Sequence, residues 1–411
     1  MGPQLSSSSS SSVSDYYSST SGAREAASKK DNPDSTLTPY AALGLSSFPC
    51  WKAMPEELLI WIFKHVQSEQ HNRPKAYYQS LFSMRTVCKR WEDAITASAM
   101  LWTLIDMTKP SAVTMILECS AACPLRLVCC DLLQSAPEIE ASVEKLRHCM
   151  DRVTELEAIV DGAQMTAILP LLQWKAPKME VASISFLKKL TEPIQLFGGV
   201  ASGVSSILLS GIQIDWTTLT SNHLKRITFS GLIAPLDVIL EILEGCSSQV
   251  EAVALDSIDF RESYGAGLPA KQATTFPNLV SLYFAHVEPF AIEYLLASIS
   301  VPSCLDCRIV GTPFAGRSLE GTFNRFVEKV SLRDSLEASS TNNGVEFDAS
   351  GALFYLDSRR ILFSFHLDCD RLGSPPTAVW EEMYRAFARP WRERGSFKPT
   401  FKSLPMPYNI A

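Results

Sequence analysis

The sequence predicts a chain of the α+β or α/β class, with a three-helix N-terminal unit, a degenerate strand–helix solenoid, and a C-terminal β-hairpin and helix that cap it. Three observations predict this order. Apolar residues follow helical spacing between 54 and 107, short strand-like runs recur from 125 to 310, and two further runs form a candidate hairpin near the C-terminus. A doubly wound α/β domain is the alternative for the middle of the chain.

The length and composition of the chain limit the class of protein to which it can belong. With 411 residues it is too long for one ordinary core, so two or three domains are expected. Its net charge of −7 argues against nucleic acid and against an anionic membrane as partners, because phosphates are bound by concentrated Lys and Arg. The sequence shows neither a signal segment nor an apolar run of the roughly 18 to 20 residues that a spanning helix needs. Its 11 cysteines follow no disulfide framework, so a cytoplasmic or nuclear protein with reduced thiols is expected.

The N-terminal residues 1–47 are expected to be disordered. They contain an uninterrupted serine run over 6–12 and show no hydrophobic periodicity. Such a segment buries too little apolar surface to offset the entropy of an ordered chain.

The segment 48–107 predicts a small unit of three helices. Pro55 suits the first turn of a helix, and Glu56 and Glu57 place negative charge at its positive end. Trp61 helps to make this helix apolar nearly all round, so a second face is expected to meet a partner, although packing of Trp61 on the following domain is the alternative. The first buried face consists of apolar residues at i, i+3 and i+4 spacing, namely Leu58, Leu59, Ile62, Phe63 and Val66.

Two more helices are expected to complete this unit. Residues 67–76 are polar and contain Pro74, which is expected to break the chain before a second helix over 77–86. The pentapeptide 87–91 leads into a third helix. The inner residues expected after the first helix are Leu81, Met84, Ala94, Ile95, Leu101 and Trp102.

The chain from 108 to 313 predicts leucine-rich-repeat-like units, each with one strand and a helical return. From the strand centred on Leu156 onward, the strand centres are 20 to 29 residues apart, which is the period of leucine-rich repeats. The Asn or Cys that usually turns the chain after each strand is mostly absent, and 250–255 equally fits a strand of an ordinary α/β sheet. The strand candidates are 125–129, 153–159, 179–186, 205–209, 224–229, 250–255, 279–284 and 305–310, and the helical returns are 166–174, 236–244 and 289–299.

The C-terminal residues 314–411 predict a cap and a tail. Asn-Gly at 343 is a strong turn signal, and a polar tetrapeptide between the strand-like runs 352–356 and 361–367 predicts a hairpin. A helix over 377–387 is expected to follow. Because a solenoid needs a unit that covers its last edge, this block is expected to cap the repeats.

Four short motifs occur in order within the three-helix segment. They are Met54-Pro55-Glu56-Glu57-Leu58-Leu59, Ile62-Phe63, Val87-Cys88-Lys89-Arg90-Trp91 and Leu101-Trp102. In this order they resemble the F-box, a three-helix unit that binds a Skp-family adaptor and, through it, a cullin scaffold with its ubiquitin-transferring machinery. The resemblance implies that the matched residues form or support the adaptor-binding surface: Pro55, Leu58, Leu59, Ile62, Phe63, Leu81, Val87, Cys88, Trp91, Leu101 and Trp102.

The middle of this segment departs from the F-box pattern. The link between Phe63 and Val87 is longer than in the family, which has a modest closure cost. The sequence Tyr77-Tyr78-Gln79-Ser80-Leu81 replaces the usual Asp-Leu-Leu step. The placement of the second helix therefore depends on residues outside the family pattern.

Sequence motifs for catalysis, cofactors and metals are absent. Cys304 and Cys307 form a Cys-x-x-Cys, but no second pair lies at zinc spacing, so two core thiols are favoured. The 6 histidines do not pair at ligand spacing, and neither a phosphate-binding loop nor a Gly-x-Ser-x-Gly elbow occurs. Basic and aromatic residues alternate from Arg385 to Lys402, which suits single-stranded nucleic acid, but a tail packed on the repeat domain is favoured. No catalytic residue, cofactor or metal is expected.

These patterns lead to one functional expectation and two alternatives. The first is a non-catalytic substrate-recognition subunit of an SCF-type cullin ubiquitin ligase, which holds an unknown target protein on the concave strand face of its repeats. The second is an F-box-containing structural scaffold without a ubiquitin-ligase role. The third is an α/β enzyme whose N-terminal helices only resemble the motif.

Overall fold

A computed structural model of the chain describes residues 54–70, 73–130, 132, 134–190, 192–199, 203–219, 223–260, 273–301 and 306–310, and the strand residues 344–348, 351–356, 360–366 and 398–401. The predicted disorder over 1–47, the predicted helix over 377–387, Cys304 and most of the basic C-terminal tail lie outside these residues. The chain divides into two compact units, 1–55 and 56–411, and the fold described below is that of the second.

Helices occupy the N-terminal part of this unit and several connections between strands. They are α1 (Glu56–Ser68), α2 (Pro74–Arg85), α3 (Lys89–Ala97), α4 (Pro110–Cys119), α5 (Ala136–Leu146), α6 (Gly162–Gln173), α7 (Leu236–Gly245) and α8 (Pro289–Ser298). Local sequence explains where several of them begin. At the start of α6 the Asp161 carboxylate accepts the backbone N–H groups of Ala163 and Gln164, and the Gln164 side chain accepts the N–H of Asp161. Pro74 was expected to break the chain, but it is the first residue of α2, where a missing N–H loses no hydrogen bond.

Strands make up most of the remaining described structure. They are β1 (Leu104–Asp106), β2 (Leu125–Cys129), β3 (Val153–Val160), β4 (Val181–Phe186), β5 (Ser206–Ser210), β6 (Arg226–Ser230), β7 (Ala252–Asp256), β8 (Thr274–Thr275), β9 (Ser281–Ala285), β10 (Ile299–Ser300), β11 (Asp306–Val310), β12 (Gly344–Asp348), β13 (Gly351–Leu356), β14 (Arg360–His366) and β15 (Lys398–Phe401). Among the described residues, 13 strands form one open sheet in the order β1-β2-β3-β4-β5-β6-β7-β9-β11-β14-β13-β12-β15. The nine strands from β1 to β11 in that order are parallel, so the chain has a mixed helix–strand fold of the α/β class.

The strands lie where their alternating apolar residues predict them. The observed β2 has the predicted bounds, and the other predicted runs differ by one or two residues at their ends. Along β6, for example, Ile227 and Phe229 are buried while Thr228 between them is half-buried. The short strand β1 was not predicted. Helices α7 and α8 begin at the predicted residues Leu236 and Pro289.

A repeated backbone turn follows the strands in the middle of the sheet. The residue after each of β5, β6, β7 and β9 has a positive φ, of 67° at Gly211, 62° at Gly231, 51° at Ser257 and 50° at His286. Each of these residues donates its N–H to the carbonyl of the residue that ends the next strand, at 2.8 to 2.9 Å. This series of backbone hydrogen bonds continues the sheet into the turns. The turns therefore form without the Asn or Cys that usually follows the strand of a leucine-rich repeat.

The C-terminal strands extend the sheet beyond β11. Strands β13 and β14 pair antiparallel, as the predicted hairpin requires, and β14 lies parallel to β11. Strand β12 lies between β13 and β15. Across the described parts of the chain, no helix combines the length and apolarity needed to cross a membrane.

Candidate interaction surfaces

Helices α1 to α3 share a small core of their own. Leu59 and Phe63 of α1 and Leu81 of α2 are fully buried. The ring of Trp91 on α3 meets the ring of Phe63 edge to face, with centroids 4.8 Å apart. Trp102 is also buried, and its indole N–H donates to the carbonyl of Ile95 at 2.9 Å. These contacts satisfy the polar atom of a buried tryptophan and fix the three helices to one another.

Large apolar side chains are nevertheless exposed on this unit. On α1, Leu58 and Trp61 are 52% and 65% exposed, and their i, i+3 spacing places them on one face of the helix. The other exposed large apolar residues of the unit are Phe82, Val87 and Met100. Over the rest of the described chain, such residues occur singly at Leu132, Leu187, Ile233 and Val280. Among the residues whose exposure the structure describes, which do not include those of β12 to β15, exposed large apolar side chains are therefore concentrated on the three-helix unit.

The residues matched to the F-box divide into three groups by exposure. Pro55, Leu58, Val87 and Cys88 are exposed, and Ile62 and Trp91 are half-buried. The buried group consists of Leu59, Phe63, Leu81, Leu101 and Trp102. Since a buried side chain offers no surface to a partner, the buried group can support such a surface, whereas the exposed group can contact a partner directly.

The F-box match leaves out part of the exposed apolar surface. Trp61 was expected on a second face of the first helix but is not part of the F-box match, and the structure places it in solvent, stacked on the imidazole of His65. Phe82 and Met100 gave no separate signal, because each adjoins a leucine that fits the core pattern. Phe82 also lies under the Arg85 guanidinium, 5.9 Å from the ring centroid, in a cation–π contact.

Charged residues border the start of α3. The Lys89 ammonium lies 3.2 Å from the Glu92 carboxylate and 3.1 Å from that of Asp93, and Arg85 approaches Glu92 to 3.5 Å. Hydrogen bonds to Asp93 and Glu92 raise the pKa of Lys89. Because these pairs are exposed, they add little to stability, and their main effect is to place charge beside Val87 and Cys88.

Two adjacent tyrosines join α2 to the chain that follows α3. The Tyr77 hydroxyl donates to the carbonyl of Leu101 at 3.0 Å, and the side chain of Gln67 donates to the same carbonyl at 3.3 Å. The Tyr78 hydroxyl donates to the carbonyl of Leu104 at 2.5 Å. Burial raises the pKa of Tyr77 to about 12 and raises that of Tyr78 well above its usual range, so both hydroxyls remain protonated donors.

The parallel sheet has one buried and one open face. Its buried face carries residues such as Ile207, Phe229 and Leu255. On the other face, the register aligns a row of half-buried residues across β3 to β9 in which small and hydroxyl side chains predominate: Glu157, Ser183, Leu208, Thr228, Ala254 and Tyr283. Because each of these six residues keeps part of its surface in solvent, the face can be contacted by another molecule.

Charged groups lie at both ends of this face. At the β2–β3 end, Arg126 forms ion pairs with Glu155 at 3.4 Å and with Glu157 at 2.8 Å. At the β7–β9 end, Asp256 accepts the hydroxyls of Ser230 and Ser257 and lies 3.1 Å from Nδ1 of His286. Both hydroxyls bond to the carboxylate, whereas an activated serine would bond to a histidine nitrogen, so this cluster fits a structural role better than nucleophilic catalysis.

The described residues contain no cluster of three or more His, Cys, Asp or Glu side chains that could hold a metal ion. Burial raises the pKa of the Cys130 thiol to about 12 and that of the Cys246 thiol to about 11, which disfavours the reactive thiolate. Comparisons of the chain with protein-family models, with curated proteins and with solved structures gave no match.

Proposed function

We propose that this chain is the substrate-recognition subunit of an SCF-type cullin ubiquitin ligase. Its three-helix unit acts as an F-box and binds a Skp-family adaptor, and its sheet binds a target protein. The observation that carries the proposal is the concentration of exposed apolar side chains on the unit whose motif residues form the small core beneath them. The chain performs no chemistry in this role and acts by bringing the target close to the ubiquitin-transferring machinery.

The exposed part of the three-helix unit supports adaptor binding on physical grounds. Interfaces draw their binding energy from a few large apolar or aromatic side chains that become buried in the complex. Leu58 and Trp61 meet this description on α1, and Val87 provides a further apolar contact before α3. Lys89 and Asp93, which follow Val87 closely in the sequence, suit the polar rim that surrounds such a centre.

The topology supports a leucine-rich-repeat-like solenoid for the target-binding part. The nine strands of the large sheet from β1 to β11 neighbour one another in chain order, with β8 and β10 paired separately, whereas a doubly wound sheet reverses its order at an internal switch point. A repeat in which each strand pairs with the next gives this order, and the backbone hydrogen bonds after β5, β6, β7 and β9 recur at the same position in successive units. The open face of small and hydroxyl residues is the proposed recognition surface.

The test compares two leucines with the same exposure. Leu58 is 52% exposed on α1, and Leu187 is 53% exposed just after β4. Leu58→Asp is expected to lower the affinity for a purified Skp-family adaptor at least tenfold, while Leu187→Asp leaves it unchanged, because only the first places a charge in the proposed interface. Binding is measured by titration calorimetry, and circular dichroism establishes that both variants fold. Leu59 is unsuitable for this test, since it is fully buried and its replacement by Asp would disrupt the core.

Three outcomes contradict or modify the proposal. The adaptor-binding role is excluded if the unmodified chain fails to bind the adaptor. Binding through the exposed face of α1 is excluded if Leu58→Asp binds as well as Leu187→Asp. Capture of an adaptor without a cullin would favour an F-box-containing structural scaffold instead.

A further inference from the structure

The first strand of the sheet has one side without a neighbouring strand. In the described sheet, β1 is the terminal strand, and its only strand partner is β2. The carbonyl of Thr103 and the N–H of Met107 bond to β2, at 2.9 Å each. Because backbone groups alternate in direction along a strand, the carbonyl of Leu104 and the N–H of Asp106 point the other way. An exposed edge of this kind is prone to pair with another chain.

A single hydroxyl group from α2 occupies that edge. The Tyr78 hydroxyl donates to the Leu104 carbonyl at 2.5 Å and accepts the Asp106 N–H at 3.3 Å. One residue of a neighbouring parallel strand would bond the same two groups, so the hydroxyl takes the place of a strand residue. The hydrogen bonds of the sheet therefore end on a side chain of the three-helix unit.

Tyr77 attaches α2 at a second point. Its hydroxyl bonds to the Leu101 carbonyl, three residues before the one that Tyr78 contacts. Its ring is buried in one apolar cluster with Leu104 of β1 and Val128 of β2, and the ring of Tyr78 packs against this cluster. Two hydrogen bonds to different carbonyls and a shared apolar cluster restrict rotation of α2 about either contact alone.

We propose that Tyr77 and Tyr78 are positioning residues that hold the three-helix unit in one orientation on the sheet edge. This inference rests on the proposed function and deepens it: adaptor and target would be held at a fixed separation, so that transfer is directed to particular lysines. A flexible linker would instead spread the target over many positions and lower its effective concentration at any one of them. The two tyrosines occupy the segment where the sequence departs from the F-box pattern, which gives that departure a physical role.

The test removes one hydroxyl and keeps the ring. Tyr78→Phe loses both edge hydrogen bonds but retains the apolar packing, and Tyr294→Phe on α8 is the matched control. Hydrogen exchange of the Asp106 amide in the full chain is expected to be about fivefold faster in Tyr78→Phe and unchanged in Tyr294→Phe, as for the loss of one hydrogen bond. An unchanged rate in Tyr78→Phe would overturn the attachment itself.

A second measurement tests the positioning role. The chain is assembled with a Skp-family adaptor and a cullin ligase, and its exposed lysines between β3 and β6 serve as acceptors of ubiquitin: Lys175, Lys178, Lys188, Lys189 and Lys225. The unmodified chain and Tyr294→Phe are expected to be modified at a narrow subset of lysines, and Tyr78→Phe at a broader set, with adaptor affinity within twofold of normal. If Tyr78→Phe is modified at the same lysines as the unmodified chain although its Asp106 amide exchanges faster, the positioning role is wrong. Failure of every form to bind the adaptor overturns the proposed function, and the exchange result then still decides whether the attachment exists.

Discussion

At the scale of single residues, neighbouring positions of one motif have opposite environments. Leu58 and Leu59 belong to the same F-box match, yet the first is half exposed and the second fully buried. Burying a leucine side chain contributes about 1.5 to 3 kcal/mol, so Leu59 stabilises the three-helix core whether or not a partner is bound. Leu58 gains comparable burial only when another molecule covers it. The two residues therefore act at different stages, in folding and in association.

The hydroxyl of Tyr77 provides a prediction about alkaline stability. Burial raises its pKa from 10.0 to about 12. Between these values the unfolded chain releases the proton that the folded chain retains, so the stabilisation is present below pH 10 and is lost as the pH rises towards 12. Tyr77→Phe has no proton to release. The stability difference between the normal chain and Tyr77→Phe is therefore expected to shrink by on the order of 2 kcal/mol over this range.

Urea unfolding at pH 8, 10 and 12, followed by tryptophan fluorescence, measures this difference. Because both chains carry the same other titrating groups, subtraction removes their contribution. A difference that stays constant or grows with pH would show that the Tyr77 hydroxyl is not protected by burial in the folded chain.

At the scale of elements, the sequence predicted the strands and helices whose hydrophobic pattern is visible within the element itself. Strand β6 alternates buried Ile227 and Phe229 with exposed or half-buried neighbours, so its period of two is visible in the sequence. Strand β1 has three residues, too few to show a period, and it exists because β2 and the Tyr78 hydroxyl supply partners from elsewhere in the chain. The F-box match predicted core and surface residues together, because exposure depends on packing between helices rather than on spacing along one of them.

The turns after the strands provide a prediction at the same scale. Gly211 and Gly231 follow successive strands with φ of 67° and 62°. Ala at either position would adopt a left-handed conformation, which costs about 1 to 2 kcal/mol. At Gly231 a Cβ would lie 3.7 Å from the flexible Lys189 side chain, which is an ordinary contact. At Gly211 the Cβ would overlap the backbone carbonyl oxygen of Phe186, which cannot move without disturbing β4.

Gly211→Ala is therefore expected to lower the free energy of unfolding by at least about 2 kcal/mol more than Gly231→Ala. Chemical denaturation of both variants measures the difference. Equal losses would mean that the chain relaxes at Gly211 and that the close packing of this turn against β4 is not required.

At the scale of the whole molecule, the proposed activity needs two surfaces on one folded unit. The exposed apolar residues of the three-helix unit provide the first, and the open face of the sheet provides the second. Tyr77 and Tyr78 connect the two, because they join α2 to the edge of the sheet by hydrogen bonds as well as apolar packing. A substitution on the open face should therefore affect target binding alone, and one at the tyrosine contact should affect how the two surfaces act together.

Substitutions at Thr228 and Thr166 separate target binding from adaptor binding. Thr228 is half-buried in the middle of the open face, between Leu208 and Ala254 in register, and Thr166 is exposed on α6. Thr228→Arg places a long charged side chain between Leu208 and Ala254, so it is expected to abolish target capture by steric exclusion and by desolvation of the guanidinium. Thr166→Arg makes the same chemical change outside that face and is expected to have no effect. Affinity enrichment with the proteasome blocked compares the proteins captured by each variant, with adaptor binding as the control for folding. If Thr228→Arg and Thr166→Arg capture the same proteins as the normal chain, the target is held by another part of the molecule.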